Sequence, residues 1–151
     1  MISIYETTKY SPSVISLWQE AFGDSKEDVL FFLNNCENKS CLCAEKNSDL
    51  MSMLFLVDCE IDGEFYKYIY AACTSKNARK LGYMSKLLEY CNSKYDNVLL
   101  IPADEKLADY YFKRGFTHKI NINNILFNES GEIKEYLFEG CSLEKPFALG
   151  N

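Results

Sequence analysis

Apolar and polar residues alternate along this chain with two periods, one typical of helices and one typical of strands. The first apolar stretch with helical spacing follows Ser11-Pro12, where a serine N-cap precedes a proline, and it stops at Gly23. Its apolar face is formed by Val14, Ile15, Trp18 and Phe22. This spacing predicts one helix here, and similar patterns predict further helices over residues 26–35 and 105–114.

Runs rich in β-branched and aromatic residues predict strands between and after these helices. The turn-like sequence KNSD separates two of the runs, and Asp62-Gly63 separates the second of these from the next one. The predicted strands cover residues 2–5, 40–45, 51–58, 64–73, 97–102, 118–127 and 133–138. Hairpins imply antiparallel neighbours and helical connections imply parallel ones, so the pattern predicts a mixed sheet.

The segment after the strand at 64–73 is the most informative part of the chain. Four basic residues and no carboxylate lie between Lys76 and Lys86, and Gly82 lets the backbone turn tightly or approach a ligand closely. A helix with buried-face spacing then begins near Met84. The first turn of a helix has unpaired N–H groups that attract anions. Strand, basic turn and helix together predict a site for a pyrophosphate, although a solvated turn would have the same composition.

Two segments carry a resemblance to a known family. Residues 79–84, RKLGYM, resemble the Arg/Gln-x-x-Gly-x-Gly/Ala loop of the GCN5-related N-acetyltransferases (GNAT), and residues 107–116, LADYYFKRGF, are similar to a helix-plus-Gly-Phe segment of that superfamily. The resemblance implies one α/β domain over residues 1–151, with the GNAT-like acyl-CoA N-acyltransferase fold. That fold, of the α/β (α+β) class, has a central mixed β-sheet flanked by helices.

The same resemblance implies acetyl-CoA as co-substrate, with its pantetheine arm between the strands on either side of the basic-turn helix. Tyr111 matches the tyrosine that faces the thioester and would act as the general acid, unless it is simply a core aromatic residue. The chain departs from the family pattern at Lys80, Met84 and Asp104, where glycine, a small residue and asparagine are common. The residues implied to bind the cofactor are Cys73, Thr74, Arg79, Lys80, Leu81, Gly82, Tyr83, Met84 and Asp104.

The acceptor side is implied by the resemblance to include the loop after the first helix, where Phe22 and Asp24 would bind the substrate. No spacing identifies a general base among the carboxylates near this side, and a chain of water molecules is an alternative. The candidates are Asp24, Glu27, Glu60 and Glu64. The one histidine, His118, lies beyond the Gly-Phe turn and away from the inferred thioester.

Composition narrows the function classes. The formal net charge of −6 disfavours nucleic-acid binding and suits a cationic amine substrate. Seven cysteines occur without a CxxC pair, so we expect buried free thiols rather than a metal site or disulfides. No long apolar run or signal-like start is present, and a cytoplasmic protein without a membrane partner is therefore expected.

Two functional hypotheses follow. The first is an acetyl-CoA-dependent N-acetyltransferase that modifies a primary amine of a small molecule or peptide by direct attack in a ternary complex, as a monomer or a homodimer. The second is a catalytically silent acyl-CoA-binding module that senses the cofactor or pairs with another subunit. A tyrosine at position 111 favours the first hypothesis, because its hydroxyl can serve the departing thiolate.

Overall fold

Two tight turns organise the first half of the sheet. Asn47 and Ser48 have φ values of 54° and 67°, and Asp62 and Gly63 have φ values of 51° and 80°. Positive φ at both central residues defines the turns whose twist matches antiparallel hairpins. The predicted hairpins at KNSD and at Asp62-Gly63 are therefore confirmed.

The computed structural model describes residues 1–151 and contains one eight-stranded mixed sheet. Its strands are β1 Ile2–Thr7, β2 Lys39–Lys46, β3 Asp49–Ile61, β4 Glu64–Thr74, β5 Val98–Leu100, β6 His118–Ile120, β7 Leu126–Phe127 and β8 Ala148–Gly150. The helices are α1 Pro12–Phe22, α2 Lys26–Asn35, α3 Tyr83–Lys94, α4 Glu105–Phe112 and α5 Gly131–Phe138. None of the helices combines the length and the apolar character that a bilayer span requires.

The strand order is β1-β2-β3-β4-β5-β8-β6, and β7 extends the sheet beside β3. Only β4 and β5 pair in parallel. Apolar residues cover both faces of the central strands, because Met53 and Phe55 belong to one core while Leu54 and Leu56 belong to the other. The first core packs against α1, α2 and α5, and the second packs against α3 and α4.

The C-terminal third differs from the sequence-based prediction. Residues 133–138 form most of α5 and not a strand, because the Ser130 hydroxyl accepts a hydrogen bond from the Ile133 N–H and the helical spacing buries Ile133 and Leu137 together. The predicted strand at 118–127 is two short strands separated by a 3-10 turn at Ile122–Asn124. Strand β8, between β5 and β6, was not predicted.

Candidate active site

The site begins where β4 and β5 part. Their parallel pairing covers only three residue pairs and ends at Ile69 with Leu100. Beyond that point Ala71 takes a φ of 53°, and Ala71 and Ala72 together oppose the single residue Leu54 of β3. Such a bulge bends a strand and redirects its side chains. The bend opens a gap in the sheet between the end of β4 and the segment after β5.

A groove of about 860 Å³ runs from this gap along the start of α3. Its wall includes the end of β4, the basic turn, the first turn of α3 and residues of α4. Seven of the residues predicted to bind the cofactor line it, namely Cys73, Thr74, Arg79, Lys80, Gly82, Tyr83 and Met84. The predicted pyrophosphate turn and the strand gap therefore form one continuous surface.

The basic turn owes its shape to two residues with left-handed backbone. Lys80 has a φ of 65°, and Gly82, the N-cap of α3, has a φ of 85°. The Arg79 side chain donates a 3.4 Å hydrogen bond from Nε to the Thr74 carbonyl oxygen, which ties the turn to the end of β4. A Cβ added at Gly82 would meet no atom within 4 Å, so the space above this residue is open to a ligand.

A second, inner cavity of about 280 Å³ lies next to the groove. Twelve of its fifteen lining residues are hydrophobic, and the exceptions are Asp24, Glu139 and Gly140. The two spaces share four lining residues, Phe22, Ala72, Leu107 and Tyr111. A molecule in the groove and a molecule in the inner cavity would therefore meet beside Tyr111.

Tyr111 lies at this junction on α4, and only 9% of its surface is exposed. Its ring packs edge-on against Tyr110 and Phe116, which fixes its direction. The hydroxyl makes no hydrogen bond to the protein. Every fully buried polar side-chain atom has a hydrogen-bond partner, so this unpartnered oxygen is not fully buried and is accessible from the space that Tyr111 lines. Burial is the main reason that the pKa of Tyr111 rises to about 12. The phenol is therefore neutral and able to donate a hydrogen bond at neutral pH.

Asp24 and Glu139 supply the only carboxylates of the inner cavity. The Trp18 indole Nε1 donates a 2.8 Å hydrogen bond to Oδ2 of Asp24, which holds this carboxylate against the cavity wall. Tyr70 lies in the same wall, and burial, followed by the charges of Glu139 and Asp24, raises its pKa. The phenol of Tyr70 is therefore protonated at neutral pH and cannot serve as a general base.

The remaining candidates lie elsewhere. The side chain of Leu81 is exposed and does not line the groove. The Asp104 carboxylate accepts a 2.8 Å hydrogen bond from the Leu107 N–H as the N-cap of α4, and it lines neither space. Three candidate base carboxylates, Glu27, Glu60 and Glu64, and also His118, are exposed outside both spaces.

Sequence reasoning missed Glu139 and Tyr70. Glu139 directly follows α5, which was predicted as a strand, so nothing placed its carboxylate near the site. The spacing of Ile133, Tyr136 and Leu137 after a capping serine was the signal that could have located it. The seven cysteines are all free thiols, and no group of metal-binding side chains is placed to hold a metal ion.

The architecture is that of the GNAT acyl-CoA N-acyltransferases, and the fold implied by the two sequence segments is confirmed. No protein-family model and no curated protein sequence matches the chain. Solved structures do match. An acyl-CoA N-acyltransferase from Pseudomonas aeruginosa aligns with a TM-score of 0.66 at 17% identity, over 100% of this chain and 99% of that chain.

Two further structures extend the likeness. An acetyltransferase of Bacillus subtilis in complex with CoA aligns with a TM-score of 0.65 at 15% identity, over 99% of this chain and 97% of that chain. An aminoglycoside acetyltransferase from an uncultured soil metagenomic sample, in complex with trehalose, aligns with a TM-score of 0.63 at 19% identity. That alignment covers 80% of this chain and 91% of the other.

Proposed function

We propose that this protein is an acetyl-CoA-dependent N-acetyltransferase that modifies a primary amine of a small molecule. The observation that carries the proposal is the junction at Tyr111, where a basic groove meets an apolar cavity containing two carboxylates. Acetyl transfer needs a place for the cofactor, a place for the amine and a polar group at their meeting point. Structures of the same fold contain CoA or acetyl-CoA, which supports this cofactor.

The groove fits the cofactor in two ways. The backbone N–H groups of the turn from Arg79 to Met84, including that of the exposed residue Leu81, lie at the start of α3, where a helix attracts the pyrophosphate. Beyond Ile69, the edge of β4 that faced β5 has no strand partner, so Cys73 and Thr74 can offer backbone groups to the pantetheine amides. Asp104 would act indirectly, by fixing the start of the helix that carries Tyr111.

The reaction proposed is direct attack in a ternary complex. The lone pair of the neutral amine forms a bond to the thioester carbonyl carbon, and collapse of the tetrahedral intermediate breaks the carbon–sulfur bond. The amine proton leaves to water at the open mouth of the cavity. The Tyr111 hydroxyl donates a hydrogen bond to the departing thiolate, and solvent finally protonates the thiolate.

The pKa of Tyr111 determines whether its hydroxyl transfers a proton to the thiolate or only donates a hydrogen bond to it. A phenol with a pKa of about 12 is a weaker acid than a thiol, whose ordinary pKa is about 8.5. Complete proton transfer to the thiolate would therefore be uphill, whereas a hydrogen bond to it is favourable. We expect the hydroxyl to stabilise the leaving group in the transition state, as a preorganised donor does.

Two measurements test the proposal. Calorimetry should detect binding of CoA and of acetyl-CoA, and thiol release from acetyl-CoA should depend on an added primary amine. Failure of both cofactors to bind at millimolar concentration would contradict the whole proposal. Binding without thiol release across a broad panel of primary amines would indicate the catalytically silent acyl-CoA-binding module.

A further inference from the structure

The inner cavity contains an unbalanced pair of negative charges. Asp24 reaches it from the segment between α1 and α2, and Glu139 reaches it from the residue after α5, so the two carboxylates come from opposite ends of the chain. No lysine, arginine or histidine lines the cavity. The only two ion pairs of the protein, Lys67 with Asp58 and Lys94 with Glu6, lie elsewhere.

Asp24 and Glu139 are both exposed to solvent while they line the cavity, so each carboxylate is accessible to a ligand. Asp24 has one neutral partner, the Trp18 indole, and Glu139 makes no side-chain hydrogen bond or ion pair with the protein. Both charges act on the hydroxyl of Tyr70, which indicates that their fields converge on one region of the cavity. A cation in that region would be stabilised by both carboxylates, and the aromatic faces of Trp18 and Phe22 would add to the attraction.

A second observation also points to a ligand in the cavity. Tyr111, a nine-tenths buried residue whose hydroxyl has no protein partner, also lines it. Tyr111 belongs to the junction shared with the groove, whereas Asp24 and Glu139 line only the inner cavity. The reacting nitrogen must be neutral and at the junction, so the cation favoured by the two carboxylates is a different group.

The size of the cavity limits the ligand. The volume of about 280 Å³ is just below the range of small-molecule pockets, roughly 300 to 1,000 Å³. A chain of a few methylene groups between two nitrogens suits both this volume and the apolar walls. A polycationic oligosaccharide would leave most of its polar surface outside.

We propose that the acceptor is a short diamine or polyamine, whose second, unreactive ammonium is held by Asp24 and Glu139 while its primary amine reaches the junction beside Tyr111. This inference rests on the proposed acetyltransferase function and specifies its substrate class. Asp24 and Glu139 are thereby specificity-determining residues, and neither takes part in the bond-forming step.

The test compares 1,4-diaminobutane with butylamine, which has the same chain and one amine fewer. In the unaltered protein, kcat/KM for the diamine should exceed that for the monoamine by roughly tenfold or more, the range expected for one hydrogen bond to a charged group. Glu139→Gln and Asp24→Asn each keep the shape and remove a charge, and each should reduce this ratio several-fold. Glu135→Gln, which neutralises an exposed carboxylate of α5 outside the cavity, is the matched control and should keep the ratio.

Three results would overturn the inference: a ratio near one in the unaltered protein, a ratio unchanged in both cavity variants, or equally efficient acetylation of the large polycation sisomicin. Calorimetry of 1,4-diaminobutane with the protein–CoA complex separates this inference from the proposed function. Diamine binding that weakens in Glu139→Gln and not in Glu135→Gln supports the cation site even without turnover. Absence of diamine binding to a protein that binds CoA contradicts the site alone.

Discussion

Tyr111 combines deep burial with a hydroxyl that no protein group engages. Its neighbour Tyr110 differs in both respects, because its hydroxyl lies 3.4 Å from Ser85 Oγ and its ring lies under the Arg114 guanidinium at 3.5 Å. Adjacent residues of a helix point about 100° apart, so only one of these phenols faces the inner cavity. The two tyrosines therefore form a natural pair for a controlled comparison.

Tyr111→Phe should lower kcat by about 10²-fold, the low end for loss of one transition-state hydrogen-bond donor, while the Kd of acetyl-CoA stays nearly unchanged. The ring and its packing remain, and only the hydroxyl is lost. Tyr110→Phe is the control and should lower kcat far less. Turnover of an accepted amine at saturating acetyl-CoA decides the matter, and full activity of the Tyr111 variant would show that another group assists the thiolate.

Gly82 should matter more for cofactor binding than any single lysine near it. Its φ of 85° strains every L-residue, and a valine side chain would project into the space where the pyrophosphate approaches the backbone. Lys86 is exposed and does not line the groove. Calorimetry should show at least a tenfold rise in the Kd of CoA for Gly82→Val and a change below about threefold for Lys86→Ala. Equal effects would indicate a site that is only electrostatic.

At the scale of the elements, α5 is held by contacts at both of its ends. Before its first turn, the Glu129 carboxylate accepts hydrogen bonds from the Glu37 and Asn38 N–H groups, at 2.8 Å and 3.0 Å. Near its last turn, the Tyr68 hydroxyl donates a 2.5 Å hydrogen bond to the Leu137 carbonyl oxygen. These contacts hold α5 in place, and Glu139 follows this helix directly.

Glu129→Ala should lower the free energy of unfolding by about 1 to 2 kcal/mol, because it leaves two backbone N–H groups without their acceptor. Urea unfolding at neutral pH measures this change. Glu135→Ala removes an exposed carboxylate from the same helix and should change the unfolding midpoint little. An unchanged midpoint in the Glu129 variant would mean that water replaces the carboxylate at no cost.

The elements also show what the sequence could and could not predict. The hairpins, α1 and α3 were predictable, because turn residues, caps and hydrophobic spacing act within a few residues of one another. The three residues of β8 carry no such local pattern, and Ala148–Gly150 become a strand only by pairing with β5 and β6. For α5, aromatic and β-branched composition favoured a strand, whereas the cap at Ser130 and tertiary burial of Ile133 produce a helix.

The same distinction applies to the site. The groove was predictable because the basic turn and the start of α3 are contiguous in the chain. The presence of Asp24 and Glu139 in one cavity was not, since more than a hundred residues separate them in the chain and only the tertiary fold places both in its lining.

At the scale of the whole molecule, burial of thiols predicts sensitivity to alkaline pH. Burial raises the pKa of Cys36, Cys59, Cys73 and Cys91 to about 12, above the ordinary value near 8.5. Above about pH 8.5 the thiols of the unfolded chain release protons that the folded chain retains, so the free energy of unfolding falls as pH rises. The stabilisation is complete below about pH 8.5 and is lost progressively up to about pH 12.

The Tm should therefore be level between about pH 7 and 8.5 and should decline steadily above that range. Differential scanning calorimetry across a pH series measures this trend. A Tm that stays constant up to pH 10 would contradict the burial of these thiols.

The short parallel contact between β4 and β5 has a mechanical consequence. The sheet therefore has two parts, strands β1–β4 and strands β5, β8 and β6, which are joined by three residue pairs. A pantetheine chain in the gap would form hydrogen bonds with the free edge of β4 and lie against the part that contains β5, in the place of a strand. We expect amide hydrogen exchange in β5, β8 and β6 to be faster than in β3, and to slow when acetyl-CoA binds. The substrate would then complete the sheet that holds it.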